Sequence, residues 1–207
     1  MKDEFFNKDY YESGPQSGKS LYQNYRWIPE LTIPLAHHIV QYLNIKPEDT
    51  VMDFGCAKGY LVHALRLLGI EARGVDISKY AIDNAPKEVS NYVKHILPYA
   101  DFKPSKYVLC KDILEHIPYD CIDKQLSILR ACSLYTFAIV PLGEEGKYII
   151  PAYELDKSHF IREPVDWWVN KFIKAGFNIE EATTNLGPFK ANWQNVDSRG
   201  NLLIIGK

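Results

Sequence analysis

The chain has 207 residues, with 24 Lys and Arg against 26 Asp and Glu, a net charge of -2 and an apolar fraction of 46%. That length suits one domain with an ample core. The charge balance lacks the basic stripe of a nucleic-acid surface, and no stretch is long and apolar enough to cross a bilayer as a helix. The N-terminal Met-Lys-Asp-Glu-Phe-Phe lacks a signal-peptide core, so a cytoplasmic protein is expected. Cys56, Cys110, Cys121 and Cys132 form no Cys-x-x-Cys pair. That spacing points to reduced thiols and away from a metal centre.

Residues 1–30 are rich in tyrosine: Tyr10, Tyr11, Tyr22 and Tyr25, with Trp27 beside Arg26. Such a segment is either a flexible arm or a cap that brings an aromatic wall to a half-wet pocket rim. Residues 14–20 read Gly-Pro-Gln-Ser-Gly-Lys-Ser and mimic a phosphate loop, but one residue is missing between the glycines and no strand precedes them. A helix over 31–43 follows, and Lys46-Pro47-Glu48-Asp49 forms the turn into the first strand. The arm and its helix, 1–44, are set apart from a domain spanning 45–207.

The stretch from Val51 to Ser78 organises the rest. Met52 to Phe54 ends a buried strand, and Gly55 and Gly59 permit a sharp turn. Leu61, Val62, Leu65 and Leu68 recur at helical spacing, and Gly69 stands where a helix stops. The next strand, 70–75, delivers Asp76 to its C-terminal end. Ser78 caps a helix to about Asn84, which Pro86 stops. A third strand is expected within 89–97 and a fourth over 107–111, running into Asp112-Ile113-Leu114-Glu115-His116-Ile117-Pro118. Ile122, Leu126 and Leu129 mark one face of a helix over 122–132, and a fifth strand spans 136–140. After a polar loop comes Asp156-Lys157-Ser158-His159-Phe160. Pro164 opens a helix reaching Gly176, with Trp167 and Trp168 at core spacing. Strands over 177–182 and 202–205 bring the count to seven. Alternating strands and helices define a doubly wound α/β layer with helices on both faces.

A glycine turn at the carboxyl edge of such a sheet is a ligand site. A dinucleotide fingerprint needs Gly-x-Gly-x-x-Gly, whereas residues 55–59 read Gly-Cys-Ala-Lys-Gly. Asp53 would repel a pyrophosphate and suit an ammonium, and Asp76 can take the hydroxyls of a ribose. A ligand with a ribose, a cation and no phosphate fits, and S-adenosylmethionine is one. Here the chain resembles the class I S-adenosylmethionine-dependent methyltransferases, whose first motif is acid-x-Gly-x-x-x-Gly and whose second is an acid ending strand two. The Leu-Glu-His-Ile segment at 114–117 resembles that of their small-molecule members. The resemblance covers about 45–207. It implies a seven-stranded, mostly parallel sheet whose last strand is antiparallel. It also implies cofactor contacts from Asp53, Gly55, Cys56, Gly59, Asp76, Ile77 and Lys111, and the reading of the arm as a cap adds Tyr11 and Tyr22. Where many relatives carry an acid before Leu-Pro for the adenine, this chain has His95-Ile96-Leu97-Pro98, and no acid is assigned.

Such an enzyme aligns an acceptor with a sulfonium methyl group and keeps water out. A hydroxyl acceptor must also lose a proton. His116, His159, Asp112 and Glu115 are the candidates. The favoured base is His159, with Asp156 holding its other ring nitrogen and His116 as the substitute. The expectation is O-methylation of a small polar acceptor such as a sugar derivative or polysaccharide precursor. N-methylation of a small amine, or a silent cofactor-binding scaffold, remains open.

Overall fold

The computed structural model describes residues 3–193 and 198–207. Its main sheet holds β1 (Thr50–Phe54), β2 (Glu71–Asp76), β3 (Val93–His95), β4 (Ser105–Lys111), β5 (Ser133–Pro141), β8 (Ile179–Thr183) and β9 (Asn201–Gly206), and β6 (Gly143–Glu144) and β7 (Lys147–Tyr148) form a separate hairpin. The spatial order is β3-β2-β1-β4-β5-β9-β8. β9 runs antiparallel to both neighbours, while the β1, β2, β3, β4 and β5 pairs are parallel. This is the expected seven-stranded sheet with an antiparallel last strand.

Side-chain alternation along each strand sorts the core onto two faces. Met52, Phe54, Val108, Cys110, Leu202 and Ile204 join one cluster; Val51, Leu109, Phe137, Ile139, Leu203 and Ile205 join the other. The first cluster is covered by α6 (Ile122–Cys132) and α7 (Val165–Lys174), which contribute Leu126, Leu129, Trp168 and Phe172. The second is covered by α3 (Pro29–Tyr42) and α4 (Tyr60–Leu67), which contribute Ile39 and Leu65. Each fully buried side chain of this size stabilises the fold by about 1.5–3 kcal/mol. Of the tryptophan pair, Trp168 is fully buried and Trp167 only partly so.

Two strands differ most from their sequence-based bounds, for local reasons. β3 is only Val93–His95, because residues 89–92 turn instead of extending. β5 begins at Ser133, directly after α6, where the Ser133 hydroxyl lies 2.7 Å from the Leu129 carbonyl and 2.8 Å from the Thr136 hydroxyl. Among the described residues, no helix is long and apolar enough to cross a membrane.

The N-terminal segment folds as α1 (Lys8–Glu12), capped by the Asn7 side chain, and α2 (Gly14–Ser17). The phosphate-loop mimic is thus a short helical turn, with the Gly14 amide bonded to the Tyr22 carbonyl. The segment is fastened to the domain at several points. Lys58 donates to Glu12 at 2.6 Å and to the Tyr25 carbonyl at 2.9 Å. The Ser78 hydroxyl donates to the Phe6 carbonyl, and the Lys157 amide to the Lys19 carbonyl. α5 (Lys79–Asp83) abuts α1.

Candidate active site

The chain leaves β1 toward β2 on one side and later crosses to β4 on the other, so the carboxyl ends of these strands open a crevice. Gly55 occupies it at φ +81°, and its amide donates to the Val75 carbonyl at 2.8 Å. A Cβ here would lie 2.4 Å from the Ile113 side chain. The restriction at Gly55 therefore comes from the neighbouring loop and the backbone angle. Gly59, at φ +78°, begins α4, and a Cβ would meet Val93 at 2.7 Å. Gly59 shapes the turn and lines neither of the clefts described next.

Two clefts meet at Gly55, Ala57, Tyr22 and Asp112. The first has an apolar slot of Phe54, Ile77, Ile96, Pro98 and Tyr99, with Asp76 on its wall. One Asp76 oxygen accepts from the Ala57 amide at 2.7 Å and the other from the Ser78 amide at 2.6 Å. Burial pushes this carboxyl's pKa up, and the two amides pull the other way. An ionised carboxylate accepts more than two hydrogen bonds, so capacity for hydroxyl donors remains. The second cleft is lined by Asp53, Cys56, Tyr60 and Lys111. Burial, and then Asp76, push Asp53 up to about 7, with Lys111 opposing. Cys56 is buried, and its thiol pKa is raised by the same surroundings. Lys111 pairs with Asp112, which stands at φ +56° at the end of β4. Burial alone would raise Asp112, but Lys111 and Lys190 hold it well below the usual carboxylate range.

Tyr10, Tyr11 and Phe6 are buried and line the first cleft together with Tyr22. Tyr11 stacks near Tyr80 at 6.1 Å, and burial followed by Asp76 raises its pKa well above normal. The tyrosine-rich segment is therefore a packed wall of the cleft.

The second histidine-bearing segment departs from expectation. Asp156 does not hold the His159 ring. One Asp156 oxygen accepts from the Tyr10 hydroxyl at 2.8 Å, and the other accepts from the Ser158 amide and hydroxyl. Ser158 Oγ in turn lies 2.7 Å from Nδ1 of His116. With its own hydrogen committed to Asp156, this hydroxyl accepts from His116, which leaves the lone pair of that ring on Nε2. His159 Nδ1 lies 2.9 Å from the Tyr153 carbonyl, which can only accept, so the His159 lone pair also sits on Nε2. The two rings are 4.6 Å apart. His116 lines the first cleft, and His159 lines neither cleft. Burial, and then His159, push His116 down to about 4, while burial lowers His159.

Several participants escaped the sequence reading. Tyr10 was read only as part of the aromatic arm and Ser158 only as part of the 156–159 stretch, and neither was given its bond to Asp156. Glu12 and Lys58 form an ion pair across chain-distant segments, and Lys190 donates to Asp112 at 2.6 Å and to the Tyr153 hydroxyl at 3.2 Å. The apolar pattern of Ile96 and Pro98 was visible, but not its place beside Asp76. The cysteine spacing that argued against a metal also drew attention away from Glu115, His116 and His159, whose donor atoms lie within 4.8 Å of one another.

No family model matches the sequence. Solved structures do match. A SAM-dependent methyltransferase from Archaeoglobus fulgidus aligns at TM-score 0.62 and 17% identity, covering 84% of this chain and 92% of its own. The Burkholderia thailandensis 1,6-didemethyltoxoflavin-N1-methyltransferase, with bound 1,6-didemethyltoxoflavin and S-adenosylhomocysteine, aligns at TM-score 0.60 and 12% identity, with 84% of this chain and 76% of that one covered. The mitomycin 7-O-methyltransferase MmcR aligns at TM-score 0.60 and 13% identity, with 85% of this chain and 54% of that one covered. The chain has the fold of the class I S-adenosylmethionine-dependent methyltransferases.

Proposed function

We propose that the protein is an S-adenosylmethionine-dependent methyltransferase that modifies a hydroxyl of a small polar acceptor, such as a sugar derivative or polysaccharide precursor. The observation that carries this reading is Asp76, held by two backbone amides beside an apolar slot, with a buried Asp53 nearby. The residues present fit the cofactor. Asp76 would take the ribose hydroxyls, the slot of Ile77, Ile96 and Pro98 the adenine, and Asp53 the ammonium. Bound there, the cofactor supplies an electrophilic methyl group on a sulfonium sulfur.

The chain's own residues then have three tasks. Gly55, Cys56 and Lys111 border the methionine end of the crevice. Phe6, Tyr10, Tyr11 and Tyr22 exclude water, and the tyrosine-rich arm ahead of α3 acts as a lid whose inner face they form. Proton removal falls to the histidine cluster, led by His116, which lines the cleft and is oriented through Ser158 by Asp156. Ser158 and Asp156 are positioning residues, and His159 supports His116 from behind. The free cysteines, three of them buried, fit a reducing cytoplasm.

A second reading, N-methylation of a small amine, draws support from His116 itself. A ring pushed down to about 4 is a weak base, and a neutral amine needs little help. The test is release of S-adenosylhomocysteine by the full chain across matched hydroxyl and amine acceptors. Turnover confined to hydroxyl acceptors supports the first reading, and turnover confined to amines supports the second. No cofactor binding by calorimetry would sink both.

A further inference from the structure

We propose that Glu115, His116 and His159 form a binding site for one divalent first-row transition-metal ion. The three donors reach one place from two chain segments, within 4.8 Å of one another. The convergence is built in. The Phe160 and Ile161 amides both donate to the Glu115 carbonyl, at 2.8 and 3.3 Å, and this pins the His159 loop against Glu115.

Both rings carry the tautomer of a metal ligand. His116 donates from Nδ1 to Ser158, backed by Asp156, and His159 donates from Nδ1 to the Tyr153 carbonyl. Partners of this kind orient ligating histidines and make the outer nitrogen more basic. The independent sign of a ligand is Glu115 Oε2. This atom is buried and, among the described residues, has no hydrogen-bond partner, in a residue only 1% exposed. A buried carboxylate oxygen without a partner is costly. The neighbouring cations are engaged elsewhere: Lys111 and Lys190 bond Asp112, and Arg162 bonds Glu154.

Two imidazoles and one carboxylate suit zinc, cobalt, iron or manganese better than magnesium or calcium, which favour all-oxygen shells. Ligands about 2.0–2.2 Å from such an ion sit roughly 3.3 Å apart, so the ion draws the three donors inward by side-chain rotation. Three protein ligands leave coordination positions open. A hydroxyl coordinated there gives its proton to solvent more readily and keeps the electron pair on oxygen. In that state His116 and His159 serve as ligands, and the ion does the acidifying. This catalytic part rests on the methyltransferase reading, whereas ion binding does not.

The test titrates Co2+ into the full chain with no methyl donor present. Expected are a visible d–d band that saturates at one equivalent, competition by Zn2+, and early paramagnetic broadening of the His116 and His159 ring-proton signals. Glu115→Gln and His159→Ala should each weaken binding tenfold or more with the circular dichroism spectrum retained. A His37→Ala/His38→Ala double variant, on the exposed face of α3, should bind as the wild type does. If a variant fails to fold, the broadening pattern in the wild type decides. No saturable binding, or broadening first at His37 and His38, overturns the proposal. Turnover that persists in metal-free protein would overturn the ion's catalytic part and leave the methyltransferase reading standing. Ion binding without turnover on any acceptor would overturn the methyltransferase reading, and the catalytic part with it, and leave the ion site standing.

Discussion

The two halves of the crevice are built differently. On the β1–β2 side, the bonds come from backbone close at hand: Asp76 accepts from the amides of Ala57 and Ser78, and the amides of Gly55 and Cys56 donate to the Val75 carbonyl. On the β4–β5 side, the groups come from chain-distant places. Tyr10, His116, Asp156 and Ser158 form one bonded chain, and Lys190 reaches Asp112 from near the C-terminus. The first arrangement is a local turn that any chain with the right spacing forms. The second exists only when four segments have docked. The difference teaches that one side is suited to a constant ligand and the other to a variable one.

The largest expected effect breaks the local half. Gly55→Val forces a side chain onto a left-handed backbone and into Ile113. S-adenosylmethionine binding should be lost by calorimetry, with a lowered melting temperature and retained helical circular dichroism. Normal binding would mean that the ligand lies elsewhere.

Next comes the distant half. His116→Ala should lower turnover by roughly two to four powers of ten and leave cofactor affinity nearly intact. If turnover survives and His159→Ala removes it, the ring behind, rather than the ring on the cleft wall, is the working one.

Asp76→Ala should weaken cofactor binding about tenfold to a hundredfold, from loss of charge-assisted bonds. An unchanged dissociation constant would remove the ribose assignment.

Asp53 sharpens the contrast through pH. In the free protein its carboxyl is raised to about 7. Facing an ammonium it must ionise, which lowers its pKa in the complex. Affinity should therefore rise with pH up to about 7 and fall below it, with proton release at pH ~6 visible in buffers of different ionisation enthalpy. Asp53→Asn should abolish that release, and an equal release in the variant would point to another group.

The smallest effect tests the docking of the segment. Tyr10→Phe removes the bond to Asp156 and should cost about 1.5–3 kcal/mol at most. Amide exchange over residues 10–27 should quicken, and added cofactor should slow it again. Exchange unaffected by cofactor would argue against a lid.

The sheet was legible because its signals are short-range. Short continuous apolar, β-prone runs in β4 and β9, helical spacing in α4, and the turn residues of 55–59 each depend on neighbours a few positions away. Bounds failed where a single contact decides them, as at Ser133, or where the strand is too short to show a period, as at β3. Asp53 and Asp76 were read at the crevice by the same local logic, since they stand at the carboxyl ends of parallel strands, whereas Cys56, Ile77 and Lys111 were expected there only from the family resemblance.

The histidines were different. The sequence determined that His116 follows β4 and that His159 precedes α7, and so that both sit near the β4–β5 side of the crevice. Spacing suggested that Asp156 would hold His159, because only three positions separate them. The fold instead turns that loop so that its amides bond the Glu115 carbonyl, Ser158 faces His116, and Tyr10 takes the remaining Asp156 oxygen. Which carboxylate orients which ring is set by how loops pack across the sheet edge. The energy of that choice resides in contacts between residues far apart in the chain, and a pattern read along the chain carries no term for them.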